Sequence, residues 1–130
     1  MAGAMTDQVV GVRSKYDGSW FGTTVTTGSG NRTLRFDVKY GSIVLIMVLD
    51  VPTPCGTTTN FSQTASTAIV NDQVSVPFAN TLNALNVSFT SATTASGTHG
   101  TISLGSILCP SGERPFVSVT GGTFTSTKAP

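Results

Sequence analysis

Charge is what this sequence has least of. Lys and Arg number seven and Asp and Glu six in 130 residues, which is 10% of the chain against about a quarter in an ordinary globular domain. A net charge of +1 from scattered cations forms no basic stripe for a phosphate backbone, so nucleic acid is not an expected partner. One His and two Cys leave little material for a catalytic or metal centre. No G-x-S-x-G elbow occurs, and no His, Cys or acid stands at ligand spacing from Cys55 or Cys109. Neither a zinc site nor a serine hydrolase is expected, and no cofactor is implied. Long apolar runs are missing too. The longest, Ile43 to Leu49, is seven residues, against the roughly 20 of a membrane-spanning helix. Helical periodicity is absent almost everywhere.

Hydroxyl groups are abundant: 37 of the 130 residues are Ser or Thr. Apolar residues make up 38%, enough to build a core, and the length fits one domain. Short β-branched runs alternate with Gly, Pro and Asn clusters, which is the pattern of strands and turns. The reading gives strands at Gly18 to Thr27, Thr33 to Lys39, Ser42 to Val51 and Thr57 to Thr64. It continues with Gln73 to Phe78, Leu85 to Thr90, Thr98 to Leu104, Pro115 to Val119 and Thr123 to Thr127. Turns are expected at Gly28-Ser29-Gly30-Asn31, Tyr40-Gly41 and Asn71-Asp72. Leu34, Phe36 and Val38 alternate with Arg35, Asp37 and Lys39, so that strand has one wet face. Thr57 to Thr64 reads as a polar edge strand anchored by Phe61. The fold class is all-β, an antiparallel meander of about eight strands, either a β-sandwich or an up-and-down β-barrel. The domain runs from residue 16 to 128, and residues 1–15 read as a leader or an extra strand.

Cys55 and Cys109 each sit beside Pro or Gly. In a Ser/Thr-rich, Lys-poor chain we favour a disulfide between two distant loops over two buried thiols. The chain-entropy model gives such a bridge roughly 4 kcal/mol, and it implies an oxidising, extracellular or cell-surface location.

The phrases Gly18-Ser19-Trp20-Phe21-Gly22-Thr23 and Phe89-Thr90-Ser91-Ala92-Thr93-Thr94-Ala95-Ser96-Gly97-Thr98, with a cysteine before and after the second, resemble a β-rich domain of secreted bacterial proteins. The likeness covers about residues 18 to 128. It implies an extracellular β domain, often attached to larger exported proteins, with no catalytic set to transfer. Phe124 stands where that pattern has Trp. A looser likeness, on Gly18 and Trp20 alone, is to avidin-like and lipocalin-like barrels.

Three rings, Tyr16, Trp20 and Tyr40, are the candidate platform for a glycan, with Trp20 weighed also as a core plug. Ile43, Leu45, Met47 and Leu49 are the candidate assembly patch, because a run that is apolar at every position must be covered on both faces or meet another surface. His99 is expected to be solvated, and Asp37 to pair with Arg35 or Lys39 on the surface. The functional expectation is a non-enzymatic binding, assembly or structural module of an exported bacterial protein. A carbohydrate-binding module and a barrel for a small apolar ligand are the alternatives. The partner would be a glycan, a protein surface or a second copy.

Overall fold

The two tightest hairpins show how the sequence sets the architecture. Tyr40 and Gly41 lie at φ 52° and 76°, and Asn71 and Asp72 at 53° and 61°. Two successive left-handed residues are what the two-residue turns between twisted antiparallel strands demand. In the computed structural model, which describes residues 13–26, 30–77 and 84–130, these turns join strands of one long meander. Its strands are β1 (Gly18–Thr26), β2 (Gly30–Lys39), β3 (Ser42–Pro52), β4 (Thr58–Ala68) and β5 (Gln73–Pro77). They continue with β6 (Ala84–Phe89), β7 (Thr94–His99), β8 (Ile102–Ser106), β9 (Phe116–Val119) and β10 (Gly122–Lys128). Residues 1–12, Thr27 at the expected end of the first strand, Gly28 and Ser29 of the expected turn, and Phe78 lie outside the described residues.

Eight strands form one antiparallel sheet in the order β4-β3-β2-β1-β10-β7-β6-β5. Each is the chain neighbour of the next, except that the first strand, β1, pairs with the last, β10, and that β8 and β9 leave between β7 and β10 as a separate hairpin. The sheet curls until β4 and β5 approach, so the domain is an eight-stranded meander nearly closed into a barrel. Of the two architectures expected, the barrel is the one formed. At the seam Val70 and Gln73 form an isolated bridge, and the Gln63 side-chain amide donates to Pro77 O at 2.9 Å.

Curling a sheet this tightly needs places where strands can bend and approach. Gly22 and Gly97 face inward on either side of β10, opposite Ser126 and Phe124. A Cβ on Gly22 would stand 1.9 Å from Thr125 O, and one on Gly97 would stand 1.8 Å from Asn86 O. Both obstacles are backbone, which cannot swing aside, so only glycine fits either place.

Inward positions alternate along each strand and fill the interior. Leu34, Phe36 and Val38 come from β2; Ile43, Ile46, Val48 and Val51 from β3; Val74 and Val76 from β5; Leu85, Val87 and Phe89 from β6; all are buried. Trp20 lies flat against Phe36 (5.7 Å, 7° between planes) and meets Phe89 edge-on (5.0 Å, 79°). Phe124 closes the cluster edge-on to Phe36 at 6.4 Å.

The run Ile43 to Leu49 is resolved by irregularities in β3. The β2–β3 register shifts at Asp37/Val38 and the β3–β4 register between Ile43 and Leu45. Ile43 therefore points in, and after one extra residue Leu45, Met47 and Leu49 point out while Ile46 and Val48 point in. A second shift lies between Val48 and Val51, where Asp50 sits at φ 57°.

Candidate functional site

Both ends of the barrel are stoppered. At one end residues 13–17 fold under the strands. Tyr16 stacks on Phe89 at 4.3 Å, and its hydroxyl donates to Asp72 Oδ1 at 2.5 Å. Trp20 Nε1–H donates to the Tyr16 carbonyl at 2.9 Å, so ring and plug hold one another. Lys128 places its ammonium 5.9 Å from the Trp20 ring and donates to Lys15 O at 2.7 Å, which seals the rim.

Asp17 secures this end. Its carboxylate accepts from Ser14 Oγ (2.7 Å), Tyr40 N (2.9 Å) and Gly41 N (3.0 Å). It thus ties the plug to the turn that holds Tyr40 in its left-handed conformation. Burial alone pushes the Asp17 carboxyl up, but the hydrogen bonds from Ser14 and the two backbone N–H groups outweigh that and hold it below the usual carboxylate range. The Tyr16 phenol goes the other way, raised by its bond to Asp72, by burial and by the Asp72 charge. A carboxylate whose pKa is lower folded than unfolded adds stability above its unfolded value, near pH 3.9, and loses it as pH falls through the folded value. Asp17→Asn should therefore cost about 1–2 kcal/mol at neutral pH. Urea titrations at several pH values should show that cost shrinking below about pH 4; a penalty that does not change with pH would contradict the role given to the charge.

At the other end the β8–β9 hairpin folds inward, and Ile102, Val117 and Val119 are buried in the same core. The Cys55–Cys109 disulfide, whose ends lie 54 positions apart, fastens the loop after β8 to the β3–β4 loop. His99 and Thr24 sit beneath this cap. His99 is buried, with Nε2 at 2.5 Å from Thr24 Oγ1 and Nδ1 at 2.9 Å from the Gly100 carbonyl. The expectation of a solvated His99 is thus corrected. Continuing the strand to Leu104 put His99 on a wet face, whereas the chain leaves the wall at Gly100 and the inward face is the one with Ala95 and His99.

The three rings are not brought together as a surface. Trp20 is fully buried and Tyr16 is 6% exposed, while Tyr40 is 47% exposed and stands apart on its turn. The glycan platform is corrected on that ground: two of its rings are the bottom of the core. The assembly patch divides. Ile43 is fully buried, which corrects its place in the patch, and Leu45, Met47 and Leu49 lie half-buried on the outer wall. Beside them Arg35 pairs with Asp37 through two bonds of 3.0 Å and covers Phe21 at 5.4 Å. The surface ion pair expected of Asp37 is thus present.

Across β1, β10 and β7 the middle of the outer wall is uncharged. Thr23, Thr125 and Ser96 stand in register across β1, β10 and β7, and Val25, Thr123 and Thr98 form the next row. Open depressions on both sides of Thr125 are lined by these residues. Phe116 and Leu108 project from the cap hairpin, 82% and 61% exposed. Among the described residues no group of three His, Cys, Asp or Glu is placed to hold a metal ion, and no helix is long and apolar enough to cross a membrane. No protein family, curated protein or solved structure matches the chain.

Proposed function

We propose that this chain is a non-enzymatic β-barrel module of an exported bacterial protein, working outside the cell by contact through its outer wall. The observation that carries the reading is the packed interior. Trp20, Phe36, Phe89, Phe124 and the aliphatic residues around them occupy the lumen, with Tyr16 at one end and Ile102, Val117 and Val119 at the other. A ligand-carrying barrel keeps that space for its cargo. The disulfide supports an oxidising habitat. The low-charge, hydroxyl-bearing wall supports contact with a neutral partner, since close approach strips few charges of water.

A direct test is titration with a long-chain fatty acid while following Trp20, which lies in the lumen. The reading expects no saturable change in emission. Saturation at one ligand per chain would replace it with an apolar-carrier role.

A further inference from the structure

We propose that the outer wall along β10 binds a neutral, linear, β-linked oligosaccharide; this rests on the contact reading above and names its surface and ligand class. Strand β10 lies in the middle of the sheet, between β1 and β7, and its outward side chains Thr123, Thr125 and Thr127 are exposed. Two open depressions, of about 420 and 450 Å³, follow it and are of ligand size. Thr23, Ser96 and Thr125 line both, so the two form one track, with Phe21 at one end and Val25 at the other. Along β10 the track covers Thr123 to Thr127, about 14 Å of extended chain.

Three features select the ligand. No charged side chain lines either depression, so a charged chain would shed water there without gaining an ionic partner. Strand β10 is paired on both sides, by β1 and by β7, and its backbone N–H and C=O groups serve those ladders. An extended peptide docks through such groups at an open edge and finds none here. What the track offers instead is hydroxyls, each able to donate and to accept, as a sugar hydroxyl does. Finally, Phe21 is 39% exposed and its ring is braced: the Arg35 guanidinium lies 5.4 Å from its centre and is held to Asp37 by two bonds of 3.0 Å. A ring fixed before binding loses little freedom on binding. Its apolar body suits the axial C–H face of a pyranose whose hydroxyls are equatorial. A β-1,4 chain of such sugars is a straight ribbon that follows a strand, whereas an α-1,4 chain coils away from it.

The test is titration of the nitrogen-15-labelled protein with cellohexaose, chitohexaose and maltohexaose, followed by amide chemical shifts. One or both β-linked sugars are expected to give saturable shifts confined to β1, β10 and β7 around Phe21 and Thr125. The α-linked maltohexaose should bind at least about tenfold more weakly. Phe21→Ala, which removes the ring, and Thr125→Glu, which sets a charge in the middle of the track, should each weaken binding at least about tenfold. Both positions are exposed, so the variants should keep the wild-type circular dichroism spectrum. Phe116→Ala, which removes the exposed ring of the cap hairpin, should leave binding unchanged. No saturable shift with either β-linked sugar, maltohexaose binding as tightly, or variants at Phe21 and Thr125 that bind like wild type would each overturn the proposal. So would saturation of the same amides by an uncharged Gly/Ser/Thr peptide in place of the sugars, which would assign the track to a protein partner. None of these touches the contact reading, which instead fails on fatty-acid uptake into the lumen; sugar binding on the wall would survive that result.

Discussion

Trp20→Ala is expected to cost about 3–5 kcal/mol, a large share of the 5–15 kcal/mol that holds a domain of this kind folded. Trp20 is fully buried and touches three other rings. Its removal leaves a hole that the stiff strands around it cannot close. It also leaves the Tyr16 carbonyl without the indole donor that fixes the plug. Trp20→Phe keeps the stacking on Phe36 but loses that hydrogen bond, so it should fall well short of the alanine cost. Urea unfolding followed by far-ultraviolet circular dichroism separates the three proteins. An alanine variant within about 1 kcal/mol of wild type would mean that the ring lies in a loosely packed or solvated place.

Loss of the Cys55–Cys109 bridge should have an effect of similar size by a different route. The bond closes 54 residues of separation, so the chain-entropy model assigns it roughly 4 kcal/mol, acting mainly through the unfolded chain. For a domain of this length that is a fall in Tm of about 15 °C. The loss should also be felt locally. The bridge fastens the hairpin that brings Ile102, Val117 and Val119 onto the core, so the amides of β8 and β9 should exchange sooner than those of β1 and β2. Calorimetry and hydrogen exchange on Cys55→Ser/Cys109→Ser would show both. A double variant that melts with the wild type and keeps its hairpin protection would contradict the capping role.

Much of the wall was legible in the sequence because strand patterning is local. Leu34-x-Phe36-x-Val38 announces which face of β2 is inside, and Asn71-Asp72 announces a two-residue turn. The polar strand read at Thr57 to Thr64, with Phe61 as its large anchor, falls within Thr58–Ala68, the last strand in the sheet order among the described residues. The departures share a cause: each depends on what a distant segment does. Ile43 to Leu49 could not be assigned to faces from alternation, since the register shift that turns Leu45 outward is set by pairing with β4. Tyr16, beside Asp17, reads as a surface ring, and His99, on a strand continued to Leu104, reads as solvated. The first is drawn in by Phe89 and Asp72, 73 and 56 positions along the chain, the second by Thr24, 75 positions away. Why Gly22 and Gly97 stand inside strands shows only in the curl of the finished barrel, where backbone occupies the space a side chain would need. The plug and the cap follow the same rule. Asp17 and the inward fold of the β8–β9 hairpin carry no recognisable motif, yet they decide that the lumen is closed.

That closure is the claim on which the contact role stands, and the sequence supplies a single reporter for it. Trp20 is the only tryptophan, and it sits between the plug and the packed interior. Acrylamide quenching of its emission tests the claim in the unmodified protein. A solid, stoppered barrel predicts blue-shifted emission, with almost no quenching until urea unfolds the whole domain. Quenching in the native state close to that of the unfolded chain would show an open, wet lumen and contradict the account.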